Sequence, residues 1–398
     1  MSNTAYQVKQ ATYDLFKTKR SYFTEEHEMF RTSLRKFIDK EVAPHLEEWE
    51  ENQYTPREVF TKMGEQGFLA TQVDPAYGGL GLDFGFNLIL GEEAHRIGGG
   101  IVGASLHSTI TVPYLETYGT EEQKKKYLPK FVSGEIITGV AMTEPGTGSD
   151  LASIRTSAVR DGEHYVINGQ KTFISNGLNA ELFFVVVKTD PNAVPAHKGV
   201  SVIIVERGTP GFSNGRKLKK LGQRSWDTTE LIFEDVRVPV SNLLGEEGKG
   251  FRILMDKLAQ ERISAANSAY IVAEEMLKST IAYVKQRTAF GKPISSFQNT
   301  QFEIAEMATE MSLARSFLND IISRHMKGEK IDTEVSMAKA FVPEMVKRIA
   351  ARCLQLHGGY GFMEEYPIAR RYRDIPVLAI GGGTTEIMKT IIAKNLGM

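Results

Sequence analysis

Cysteine and tryptophan are the scarcest residues: the 398-residue chain holds one Cys, Cys353, and two Trp. A single cysteine excludes an intramolecular disulfide and a cysteine-based zinc cage, so a reducing compartment is expected. An excess of charge is missing too. Lys plus Arg number 48 against 49 Asp plus Glu, a net charge of −1, which argues against a non-specific nucleic-acid binder with its basic surplus. The basic runs Lys124-Lys125-Lys126 and Lys217 to Lys220, broken by Leu218, carry no interleaved aromatics and read as solvated faces. No apolar run approaches the roughly 20 residues that cross a bilayer. The first residues lack the apolar stretch of a secretory signal. Lys9, Lys17, Lys19 and Arg20 are interrupted by Asp14, which spoils a transit-peptide pattern. The expectation is a cytoplasmic protein with no membrane segment and no nucleic-acid partner.

What is present is ordinary globular composition, 41% hydrophobic and 24% charged. At about 150 residues per domain the length suggests two or three domains. Periodicity divides the chain into three zones. Helical spacing marks 24–43, with Phe30, Leu34, Phe37 and Ile38 on one face and Pro44 at its end, then 56–67, 84–117 and 121–133. From 137 to 240, β-rich runs such as Leu182 to Val187 and Val200 to Val205 alternate with turns, Asp161-Gly162 among them, as in an antiparallel barrel or sandwich. After Gly248 the helical period returns over 249–286, 297–327, 332–357 and 384–395, a pattern that favours a bundle. The fold class expected is α+β, mainly α. An N-terminal helical domain (1–136), a middle antiparallel β domain (137–240) and a C-terminal helical bundle (241–398) make it up.

One string stands out after a strand: Met142-Thr143-Glu144-Pro145-Gly146-Thr147-Gly148-Ser149-Asp150. Its glycines let a backbone approach a ligand, and its hydroxyls can donate; a polar loop between strands explains it equally well. It is neither a Walker loop nor a Rossmann fingerprint. Cys353 and His357 share a helix face, but two ligands do not make a zinc site, so no metal is expected.

The string from Ala141 to Asp150 resembles the first signature of the acyl-CoA dehydrogenases. Gln355-Leu356-His357-Gly358-Gly359-Tyr360-Gly361-Phe362, running on through Glu365, Arg370 and Asp374, resembles the second. The order of the two and the helix–β–helix layout agree with that family over nearly the whole chain. The resemblance implies an FAD enzyme that dehydrogenates an acyl-CoA thioester to the trans-2-enoyl-CoA, with flavin N5 accepting the β-hydrogen as hydride. It implies an electron-transferring flavoprotein as electron acceptor and a homotetramer. It also implies flavin contacts from Met142, Thr143, Ser149, Phe173 and Ser175. Arg287, Phe290, Gln298, Gln355, Gly358 and Gly359 would meet the pyrophosphate and adenosine end from a neighbouring subunit, joined by Thr384 and Glu386. Read without the resemblance, Ser175 is a strand end before the Asn176-Gly177 turn and Arg287 a surface arginine at a helix end.

The base that takes the α-proton departs from the common pattern. Many members carry a glutamate near the C-terminus, where this chain has Gly382, which cannot act as a base. Long-chain and isovaleryl-type members place the base on the helix that opens the C-terminal bundle, and the matching string here is Leu258-Ala259-Gln260-Glu261-Arg262. Phe251, Leu254, Met255, Leu258 and Ala265 form an apolar stripe; Arg262 falls near its centre and Glu261 on its flank. Both charges therefore lean toward buried surface; a buried structural ion pair or a solvent-exposed helix flank is the plain reading, a site the other. Glu261 is the expected base, with Ser149, Arg262 and Gly382 at the thioester. The phenylalanine of Phe173-Ile174-Ser175-Asn176-Gly177, where many relatives have tryptophan, points to the same subgroup. Two alternatives stay open: a flavin oxidase or monooxygenase of the same superfamily, and a non-catalytic acyl-CoA-binding relative. Chain length, branching and pathway are not legible.

Overall fold

A computed structural model describes residues 14–17 and 20–398; Lys9 and Lys19 of the N-terminal reading lie outside the described residues. Backbone contacts divide the chain into two compact units. One is Glu25–Ser264; the other is Ala265–Met398 with the described residues before Glu25.

The first unit begins with the Glu25–Glu41 helix, whose Leu34, Phe37 and Ile38 are buried. Pro44 sits in a 3-10 turn that ends it, since proline lacks the N–H that a continuing helix needs. The single helix expected over 84–117 is broken. It runs Phe84–Arg96, Val102–Leu106, a π-helical turn at His107–Thr111, then Val112–Tyr118. Gly98, Gly99 and Gly100 all have positive φ (85°, 125° and 83°), a conformation that no right-handed helix contains. The π turn is anchored through His107, whose ring nitrogens lie 2.7 Å from Thr138 Oγ1 and 3.0 Å from the Phe131 carbonyl.

Eight strands follow: β1 (Thr138–Ala141), β2 (Ser157–Asp161), β3 (His164–Ser175), β4 (Leu182–Lys188), β5 (Val200–Glu206), β6 (Phe212–Lys217), β7 (Thr228–Pro239) and β8 (Leu243–Leu244). They form one sheet in the order β6-β7-β3-β2-β4-β5-β8, with β1 also paired to β4. Most pairs are antiparallel, as the turn-rich texture implies, and Gly162 (φ 60°) turns the β2–β3 hairpin. The pairs of β4 with β1 and with β2 are parallel. Strand β4 is apolar at six consecutive positions because both of its faces are covered. Leu182, Phe184 and Val186 join a core with Tyr114, Leu115, Leu128 and Phe131 of the helices, while Phe183, Val185 and Val187 pack with Tyr165, Ile167, Leu231 and Phe233 of the sheet.

The Gly250–Gln286 helix supplies its residues through Ser264 to the first unit and those from Ala265 to the second. The second unit adds the long helices Gln298–Met326 and Asp332–His357 and a shorter one at Thr385–Asn395, close to the spans read from periodicity. Among the described residues no helix is long and apolar enough to cross a membrane. Phe184 is fully buried and its ring meets Tyr114 edge-on, with centroids 6.1 Å apart. Phe184→Ala is expected to destabilise the protein by about 3–5 kcal/mol, read from the shift of the urea unfolding midpoint, because the neighbours fill only part of the cavity.

Candidate functional site

Glu261 is 7% exposed and Arg262 is likewise buried, as the charge placement implies. The stripe differs in phase from the one expected. Ile253 and Leu254 are buried, whereas Met255 is 36% exposed and Phe251 and Leu258 are half-buried. Turning the face from Met255 toward Ile253 moves Glu261 from the flank to the middle, about 20° from Leu254 by helical geometry. Tyr114 Oη donates to Glu261 Oε1 at 2.7 Å. Burial raises the Glu261 carboxyl to about 7, against the lowering effects of the Tyr114 hydrogen bond and the Arg262 charge. The preceding Gln260 donates its amide to the Thr109 carbonyl at 3.0 Å, tying this helix to the π turn.

The glycine-bearing loop after β1 is held by a buried ion pair. Lys171 Nζ donates to Glu144 Oε1 at 2.8 Å and to the Met142 carbonyl at 3.0 Å. Glu144 also accepts the backbone N–H groups of Arg155 (2.7 Å) and Thr156 (2.9 Å). Burial brings Lys171 down to about 8 despite Glu144; the Glu144 carboxyl resists its own burial and stays below the usual range because Lys171 donates to it. Thr172 N–H donates to the Thr143 carbonyl at 2.8 Å, so Met142 and Thr143 are fixed beside the end of β3. There Phe173 has φ 60° and is 68% exposed between buried Thr172 and Ile174, at a register shift against β7. A bulky residue at positive φ is strained, and the neighbouring ladder holds it in place. Ser175 is half-buried opposite Thr228, and Asn176 Nδ2 donates to the Gly103 and Thr138 carbonyls. Ser149 is exposed, and a Cβ at Gly146 or Gly148 would meet nothing within 4 Å.

In the second unit, Arg287, Gln298, Gln355, Gly358 and Gly359 are exposed, and Phe290 is 95% exposed. The Arg287 guanidinium lies 5.7 Å from the centre of the Tyr360 ring. His357 is a packing residue: it stacks on Tyr283 at 4.4 Å and its Nδ1 lies 2.8 Å from the Cys353 carbonyl. Gly382 has φ 68° in a loop held by buried Lys339, whose Nζ donates to the Leu378 carbonyl at 2.9 Å and the Gly383 carbonyl at 3.1 Å. Thr384 caps the last helix and Glu386 is exposed in its first turn. Among the described residues no group of three or more His, Cys, Asp or Glu could hold a metal ion.

Three family models match in order: "Acyl-CoA dehydrogenase, N-terminal domain" over residues 24–135, "middle domain" over 139–236 and "C-terminal domain" over 248–397. The chain belongs to the acyl-CoA dehydrogenase family. It is 45% identical over 378 residues to the "Long-chain specific acyl-CoA dehydrogenase, mitochondrial" of Sus scrofa, covering 95% of this chain and 88% of that one. The "Isovaleryl-CoA dehydrogenase, mitochondrial" of Pongo abelii is 36% identical, covering 93% and 88%. The crystal structure of an acyl-CoA dehydrogenase from Geobacillus kaustophilus superposes with TM-score 0.94 at 57% identity, covering 95% of this chain and 99% of that one.

Membership makes the protein an FAD-dependent oxidoreductase that acts on acyl-CoA thioesters, the chemistry of fatty-acid β-oxidation. The residues present fit a flavin. An apolar ring held outward at Phe173 offers a face for a planar ring system. The open glycine loop admits close backbone approach, and exposed Arg287 offers the fork that suits a pyrophosphate.

Two residues escaped sequence reasoning. Lys171 shares inward parity with Tyr165 and Ile167 on β3, and that alternation could have flagged it. Tyr114 reads in sequence as one more apolar helix position and carried no signal. Because the folded carboxyl of Glu261 is raised, the folded state favours the protonated form, and this group's stability contribution falls as pH rises from its ordinary range through about 7. Glu261→Gln should therefore gain stability over the wild type, by about 3 kcal/mol between roughly pH 4 and pH 8, in paired urea titrations.

Proposed function

We propose that Glu261 is the general base of an acyl-CoA dehydrogenase that yields the trans-2-enoyl-CoA. The observation that carries this reading is the Glu261 carboxyl itself, 7% exposed and held at Oε1 by Tyr114 Oη at 2.7 Å; its burial pushes it up to about 7, where a base is matched to neutral pH. Gly382, at the position where many members have the base, offers a backbone turn and no side chain. In the proposed step the Cα–H bond breaks, its proton forms an O–H bond on Glu261, and its electron pair becomes the new Cα=Cβ bond. Bound FAD supplies the two-electron oxidation that removes the β-hydrogen with its bonding pair. Ser149 and Arg262 position the thioester, and the Arg262 cation favours the ionised base before transfer.

Met142, Thr143, Ser149, Phe173 and Ser175 hold the flavin end of FAD in this reading. Arg287, Phe290, Gln298, Gln355, Gly358, Gly359, Thr384 and Glu386 serve the pyrophosphate and adenosine end belonging to a neighbouring subunit of a homotetramer. The exposure of Arg287, Phe290, Gln298, Gln355 and Glu386 supports the assignment. An electron-transferring flavoprotein is the proposed acceptor.

The test is anaerobic bleaching of the oxidised-flavin visible band by a panel of acyl-CoAs of differing length and branching. Wild type is expected to bleach with one chain class, and Glu261→Gln about 10²–10⁴-fold more slowly. Equal rates in both would remove Glu261 from the base role, and no bleaching by any thioester would overturn the reaction. Lys171→Met strands the buried Glu144 carboxylate, so its product should lose FAD on dilution more readily than wild type, measured by released flavin fluorescence.

A further inference from the structure

Glu261 receives one side-chain hydrogen bond among the described residues, from Tyr114 Oη to Oε1 at 2.7 Å. The donor is rigid. Tyr114 is 1% exposed in the Val112–Tyr118 helix and packs against Phe184 of β4 within the helix–sheet core. Burial, reinforced by the facing carboxylate, pushes its phenol well above the usual range, so it stays protonated and donates throughout the working pH range. The helix bearing Glu261 is secured on the same side by Gln260, which grips the π turn at Thr109. With Oε1 held, the second carboxylate oxygen is left for substrate.

We propose that Tyr114 is the positioning residue of this enzyme's base, holding Oε1 of Glu261 so that Oε2 takes the α-proton. The inference rests on the reading of Glu261 as the base. A donor aimed at a carboxylate favours its ionised form, so Tyr114 also opposes the effect of burial. The groups acting on the Glu261 charge are Tyr114 from the facing helix and Arg262 from its own. Glu116 and Lys257, farther along the same two helices, act on each other.

The experiment compares wild-type and Tyr114→Phe holoenzymes by two readouts. The first is the infrared band of the protonated Glu261 carboxyl, identified by its loss in Glu261→Gln and titrated without substrate. The second is the pH profile of anaerobic flavin bleaching. Losing the donor should move the Glu261 titration and the acid limb of the rate profile upward together by about one pH unit, with the rate recovering at high pH. General structural damage would depress the rate at every pH without that displacement. Site-specific 3-fluorotyrosine at position 114 keeps the shape with a more acidic donor and should move both readouts downward, which covers the case in which Tyr114→Phe folds poorly. An unmoved infrared titration overturns the proposal. A moved titration with an unmoved rate profile overturns the base reading and, with it, the positioning role of Tyr114.

Discussion

A carboxylate taken out of water is held in this fold by one phenol and one neighbouring guanidinium. Desolvation alone favours the protonated form, and the donor and cation each pull partly back, so the Glu261 carboxyl comes to rest near neutrality. That balance needs a helix fixed against a tyrosine that cannot turn away. The tyrosine in turn needs Phe184 beneath it, and Phe184 belongs to a strand buried on both faces. In the proposed role of Glu261, stability and chemistry pull against each other, since an uncharged side chain at 261 would suit the core better than a charge.

The same logic governs the loop after β1 on a different scale. Lys171 and Glu144 are buried as a pair whose remaining valences are met by the Met142 carbonyl and two backbone N–H groups. Such a pair contributes little net stability but makes alternative loop paths costly, because any departure leaves a charge without a partner. Its consequence is a fixed Met142-Thr143 edge beside Phe173, whose positive φ and outward ring are held by the strand around it. Strain at the ring and rigidity behind it belong together.

Helix and strand content were legible because the period of apolar residues reports which surface is covered, and the covered surfaces are those of long, regular elements. The break at Gly98 to Gly100 lies inside a span of helical spacing, and three glycines exclude a continuous helix only once their positive φ values are known. The stripe over residues 251–265 lies on one helix, but its buried face is turned in phase from the one that the apolar spacing marks. Met255 and Ile253 are equally apolar, and only the neighbouring core decides which one turns inward. Signature strings and the departure at Gly382 drew attention to Glu261, because they are local and chemically specific.

What the sequence determined by itself was therefore the order of the elements, the family they belong to and the carboxylate to suspect. These follow from patterns contained within a few turns or strands of chain. Tertiary structure alone decided that Tyr114, 147 residues away, supplies the hydrogen bond to that carboxylate, and that Lys171 and Glu144 neutralise each other beneath the loop. Hydrogen bonds and desolvation depend on distances across the core, and no local pattern encodes those distances.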